Sequence, residues 1–131
     1  MDLLRSKAVA SLEVLYYSRH TVFAASVSPE MLGVSVTPDM LEEIYQHKLS
    51  VNKFHGSRWQ RDLIRALQDP AMRRASGLFA HFQPDCRWGC IFYDAKRDRV
   101  LTMYFDGYGS EGLIGGTPVV FTGRFGKLKL V

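Results

Sequence analysis

The sequence predicts an α+β fold: an antiparallel β-meander of four to five strands in the C-terminal half, packed against two to three N-terminal and central helices. Three observations predict it. Apolar residues recur at helical spacing behind capping signals through the middle of the chain. From Cys86 onward the apolar period drops to two. Polar and glycine pairs then separate the alternating runs at hairpin distance. The length of 131 residues fits a single domain over 1–131.

Taken in chain order, Leu4, Ala8, Leu12 and Leu15 recur at helical spacing, so a helix is expected near the start. Val14-Leu15-Tyr16-Tyr17 and Thr21-Val22-Phe23 are rich in strand formers instead, which leaves 1–27 open between helix and strand; the reading taken is a strand near 20–27 after the starting helix. Ser28-Pro29-Glu30 and Thr37-Pro38-Asp39 each read as a helix start: a capping hydroxyl, a proline at the first helical position, then an acid. Behind the second, Met40, Leu41, Ile44 and Tyr45 form one apolar face, which predicts a helix over 38–48. His47 and Lys48 would then sit at its negative end. Ser57 caps a helix over 58–68 whose buried stripe is Trp59, Leu63, Ile64 and Leu67. Asp69-Pro70 restarts a short helix that Gly77 can end.

In the meander, Cys86, Trp88, Cys90 and Phe92 are expected on one strand face, and Leu101, Met103 and Phe105 on one face of the next. The polar stretch 94–98 is the turn between them. Gly115-Gly116 predicts a two-residue hairpin turn between strands 112–114 and 118–122. Lys127-Leu128-Lys129-Leu130 alternates as a strand with one wet face.

Composition narrows the function classes. Ala8-Val9-Ala10 has the pattern of a signal-peptidase site, yet no apolar run precedes it and Glu13 breaks the apolar stretch after it, so no secretion signal is expected. No window approaches the roughly 18 apolar residues of a membrane span. Cys86 and Cys90, on one extended strand, would lie about 13 Å apart, too far for a disulfide. Reduced thiols suit a cytoplasmic protein.

Candidate chemistry falls into four groups. His81, Cys86 and Cys90 could supply a nucleophile and base, or three metal ligands. The plainer reading is that both thiols are small core residues of a strand. His20, His47, His55 and His81 show no metal-binding spacing, and neither a metal nor a cofactor is expected. Gly107-Tyr108-Gly109-Ser110-Glu111-Gly112 matches a dinucleotide fingerprint in letters, but the residues after it cannot open a helix, so the glycines read as turn residues. No pair of carboxylates stands out for acid–base work.

The fourth group is the most suggestive. Between 47 and 74 lie seven basic residues and two acidic ones, an excess larger than the net +4 of the whole chain. On a helix, Arg58, Arg61 and Arg65 fall within about 60° of one another, opposite the apolar stripe. Lys53, Arg73 and Arg74 can extend this patch. It suits phosphates or an acidic protein surface. A solvated helix face is the plainer account. Tyr104, Tyr108 and Phe125 are candidate exposed anchors for a partner, with core packing as the alternative.

The run from Ile91-Phe92-Tyr93-Asp94 through Val100–Gly109 to Gly112-Leu113-Ile114-Gly115-Gly116 resembles small bacterial immunity proteins. These neutralise toxins of contact-dependent or type VI interbacterial systems. The resemblance covers about the last 45 residues and carries no catalytic residue, because such proteins act by occluding a toxin. It implies a protein partner, the cognate toxin, with an acidic surface facing a basic inhibitor. Many nuclease toxins are basic, so the charge points away from a nuclease. The leading expectation is thus a non-enzymatic protein-binding module. Its partner residues would be Lys53, Arg58, Arg61, Arg65, Arg73, Arg74, Tyr104 and Tyr108. A nucleic-acid-binding regulator using 53–74 is the alternative, and a small cysteine-dependent enzyme the third.

Overall fold

A computed structural model describes residues 2–17, 36–67, 73–74, 85–106 and 111–120. Three helices are among them: α1 (Asp2–Arg5), α2 (Pro38–Ile44) and α3 (Arg58–Leu67). The strands are β1 (Ser11–Tyr16), β2 (His47–Val51), β3 (Arg73–Arg74), β4 (Cys86–Tyr93), β5 (Arg99–Asp106), β6 (Glu111–Ile114) and β7 (Thr117–Val120). All pair antiparallel in one sheet of order β2-β1-β4-β5-β6-β7-β3. The α+β class and the antiparallel sheet hold. The count of four to five strands does not: six strands carry the sheet, and the two-residue β3 trims its far edge.

The extra strands come from the N-terminal half. Ser11–Tyr16, where helical spacing and strand formers pointed in opposite directions, is β1, and the helix at the start is only Asp2–Arg5. Both faces of β1 are covered: Leu12 and Val14 are fully buried on one side and Leu15 nearly so on the other. A strand buried twice loses its alternation, and its apolar residues then mimic helical spacing. The expected strand near 20–27, the helix start at Ser28 and the strand at 127–130 lie outside the described residues.

Helix α2 begins as expected. Thr37 has an extended backbone, and its hydroxyl accepts a hydrogen bond from the Met40 amide at 3.3 Å. The helix ends at Ile44, four residues short of expectation, because Tyr45 turns extended at ψ 143°. His47 and Lys48 therefore enter β2, opposite Tyr16 and Leu15. Helix α3 matches its prediction within one residue. The short helix expected after Pro70 is contradicted at Arg73–Arg74, which are extended and pair with Val120 and Val119 of β7.

The sheet sorts side chains into two layers. Leu12, Val14, Trp88, Cys90, Phe92, Met103, Phe105 and Val119 pack with Leu4 of α1, Phe54, and Leu63 of α3. Trp88 stacks on Phe105 with centroids 4.3 Å apart, and Phe54 meets Phe92 edge-on at 5.3 Å. On the other face Tyr17, Val36, Cys86 and Tyr104 pack with Leu41 of α2. Cys86 was expected to share a face with Trp88. A register shift between Cys86 and Trp88 inserts one residue into β4 and turns Cys86 to the α2 side. The Gly115-Gly116 hairpin is as expected, with φ of 56° and 82°, both left-handed.

Candidate functional site

The basic helix face is built by a local network. Ser57 Oγ accepts from the Gln60 amide at 3.2 Å and donates to the Phe54 carbonyl at 2.6 Å. Gln60 reaches back, accepting from the Gly56 amide at 2.7 Å and donating to the Leu4 carbonyl at 2.7 Å. This variant of a capping box fixes where α3 starts and fastens it to α1. Leu63 is fully buried, and Trp59 and Ile64 are partly buried against the core. With that stripe turned inward, Arg58, Arg61 and Arg65 face solvent. Lys53 is exposed in the loop leading into the helix.

These cations have few partners. Among the described residues, the salt bridge on α3 is exposed Arg61 with part-exposed Asp62 at 3.9 Å. The Arg58 guanidinium lies 6.0 Å from the Trp59 ring centroid, at the outer limit of a cation–π contact. Charges on the α2 side of the sheet are paired instead. Glu13, only 13% exposed, receives Lys48 and Arg97 at 3.4 Å each and the Tyr93 hydroxyl at 3.3 Å. Glu42 receives Arg99 at 2.7 Å and the Tyr104 hydroxyl at 3.2 Å. The positive field of the α3 face is thus weakly compensated, while the sheet's charges act as internal ties.

The remaining candidates separate. Arg73 and Arg74 are placed by backbone pairing on β3, at the edge of the sheet opposite β2. Tyr104, one of the candidate exposed anchors, takes the core-packing alternative instead: it is buried at 6% exposure beneath Leu41 of α2. Tyr108, Phe125, His20 and His81 lie outside the described residues. His47 is exposed on β2, and His55 is exposed beside Gln60 at 3.3 Å. Glu13 and Glu42 were not singled out as tie points in the sequence. A lone acid inside the apolar run 9–17 was the available signal for Glu13.

Cys86 and Cys90 are both fully buried and neither is in a disulfide. Burial first, then the carboxylates of Asp85 and Asp106, push the Cys86 thiol from 9.0 up to about 12. Burial alone drives Cys90 higher still. In these surroundings both thiols stay protonated at neutral pH, the wrong state for a nucleophile. Among the described residues no three potential ligands cluster for a metal ion. The last glycine of the fingerprint-like run, Gly112, lies in strand β6 and not at a helix start. No described helix is long and apolar enough to cross a membrane. Fold and surface together define an α+β sheet protein that presents one basic helix. Neither a family model, nor a curated protein, nor a solved structure matches the chain.

Proposed function

We propose that this chain is a non-enzymatic protein-binding module that occludes its partner, in the manner of the bacterial immunity proteins its C-terminal run resembles. The observation that carries the reading is the exposed, weakly compensated row Arg58, Arg61 and Arg65 on a helix locked at its N-terminus. Arginine is the cation most often found at interface anchors, and a preset helix face loses little entropy on docking. The partner is a protein with an acidic surface, and a cognate toxin fits that description. Two cysteines outside any disulfide suit a reducing compartment, so the proposed site of action is the cytoplasm. A phosphate backbone could also meet this row. Trp59, however, packs partly buried against the core, turned away from where a base would stack.

The test is native purification of tagged wild-type chain and of the Arg58→Glu/Arg61→Glu/Arg65→Glu variant from the source cells, at low and high salt. The expected result is one protein in stoichiometric yield with the wild type, its affinity reduced at least about tenfold by the triple reversal. All three residues are exposed, so unchanged circular dichroism will show that the fold survives. Nucleic acid recovered at low salt and lost at high salt would replace this reading with the nucleic-acid one. A protein partner indifferent to the triple variant would remove α3 as the interface.

A further inference from the structure

Among the described residues, strand β2 is an edge of the sheet. On one side it pairs with β1 over all five residues without a register break, and among the described residues nothing pairs on the other. Its first four side chains are exposed on both faces. Of the two exposed large hydrophobics among the described residues, Leu49 at 39% lies on β2, and Tyr45 at 37% caps α2 two residues before it. Natural sheet edges are usually blunted by proline, a bulge or an outward-leaning charge. Residues 47–51 hold no proline or glycine. Their one formal charge, Lys48, leans inward over β1 to Glu13 at 3.4 Å.

Tyr17 donates to the Arg87 carbonyl, so the odd residues of β1 bond toward β4. Its even residues, Leu12, Val14 and Tyr16, then bond toward Val51, Leu49 and His47 of β2. That leaves the amides and carbonyls of Lys48 and Ser50 directed outward.

We propose that β2 pairs antiparallel with β2 of a second copy of this chain, about a two-fold axis through Leu49, joining two sheets into one. The sequence His47-Lys48-Leu49-Ser50-Val51 is complementary to itself in this register. Lys48 faces Ser50 of the second copy, and both carry the outward backbone groups, so the pair exchanges hydrogen bonds twice across the seam. Leu49 meets its own counterpart at the axis, in the non-bonded pairing where side chains approach most closely. His47 faces Val51. No like charges stand opposite each other. An axis through Lys48 would set two ammonium groups face to face, and one through Ser50 would shorten the strand overlap. The pairing is isologous and closed, so it ends at a dimer. Five residues per copy make a small seam, which fits a reversible dimer of micromolar or weaker affinity.

Sedimentation velocity over a wide concentration range, with amide hydrogen exchange at the two extremes, tests this. A monomer–dimer equilibrium is expected, with Lys48 and Ser50 amides gaining protection as concentration rises. The amides of Leu49 and Val51, directed toward Val14 and Leu12 of β1, should be protected throughout. Leu49→Lys puts two charges at the axis and should raise the dissociation constant at least about tenfold. Because Leu49 is exposed, the fold should survive, and circular dichroism checks that. Ser50→Pro deletes an outward amide and should act alike. A chain that stays monomeric throughout, or a dimer whose Lys48 and Ser50 amides exchange freely, would overturn the proposal.

Discussion

Gly89 faces Tyr104 across the β4–β5 pair, and the tyrosine ring lies over the place a side chain would occupy. A Cβ at Gly89 would stand 2.8 Å from Tyr104 Cδ1 and 3.4 Å from Leu41 Cδ2. The ring covers the glycine backbone, and α2 closes over the ring. Gly89→Ala should therefore destabilise the protein by about 1–3 kcal/mol, through overpacking. In a Tyr104→Ser background the same change should cost much less, since the clashing ring is gone. Urea unfolding of the four variants gives the coupling; additive losses would mean the ring moves aside freely. Alternation in the sequence put Tyr104 opposite Leu101, Met103 and Phe105, which is correct. Whether that side met solvent or a second layer stayed open, because a helix layer on a second sheet face leaves no mark in the strand itself. The same blindness applied to the bulge at Arg87, which moved Cys86 to the α2 side.

Among elements, what was legible was local. The start of α3 is spelled out by Ser57, and the start of α2 by Thr37 and Pro38, because each cap is a contact between near neighbours. The end of α2 was not legible, since no glycine marks it. It ends because His47–Val51 is drawn into pairing with β1, a contact more than thirty residues away in sequence. Gln60 joins the two kinds of information: it caps α3 through Gly56 and ties α3 to α1 through Leu4. Gln60→Ala should lower stability by about 1–2 kcal/mol, as two short hydrogen bonds to backbone groups are lost. Ser57→Ala should cost about 1 kcal/mol. The two residues share one network, so the double variant should lose less than the sum. A shift of the urea midpoint at constant m-value is the measurement. No shift for Gln60→Ala would mean that apolar packing alone holds α3 on α1.

For the whole molecule, the decisive fact is that helices cover both faces of the sheet, so its central strands bury groups that ionise only at high pH. The sequence carries the strand periodicity and hence the antiparallel sheet. It does not reveal the second layer, and the basic row on α3 reads alike as a solvated face or an interface. Burial has a consequence that can be measured. The Cys86 thiol is raised from 9.0 to about 12, and burial also raises Cys90. Tyr104 is raised above its ordinary 10.0 by burial first and then by the Glu42 carboxylate. In the unfolded chain the thiols lose their protons near 9.0; in the folded one they keep them. Stability tied to these groups is complete below pH about 9 and declines as pH climbs toward the folded values. Each thiol adds at most about 1.4 kcal/mol of loss per pH unit in that window. The thermal midpoint should thus be level from neutral pH to about 9 and fall beyond it. Cys86→Ala and Cys90→Ala should each start from a lower midpoint at neutral pH, since each leaves a small void. Their midpoints should nevertheless fall less steeply above about pH 9, and the gap to wild type should narrow. Parallel curves for all three proteins would show that the thiols titrate alike in the folded and unfolded chain, and that the sheet does not seal them from water.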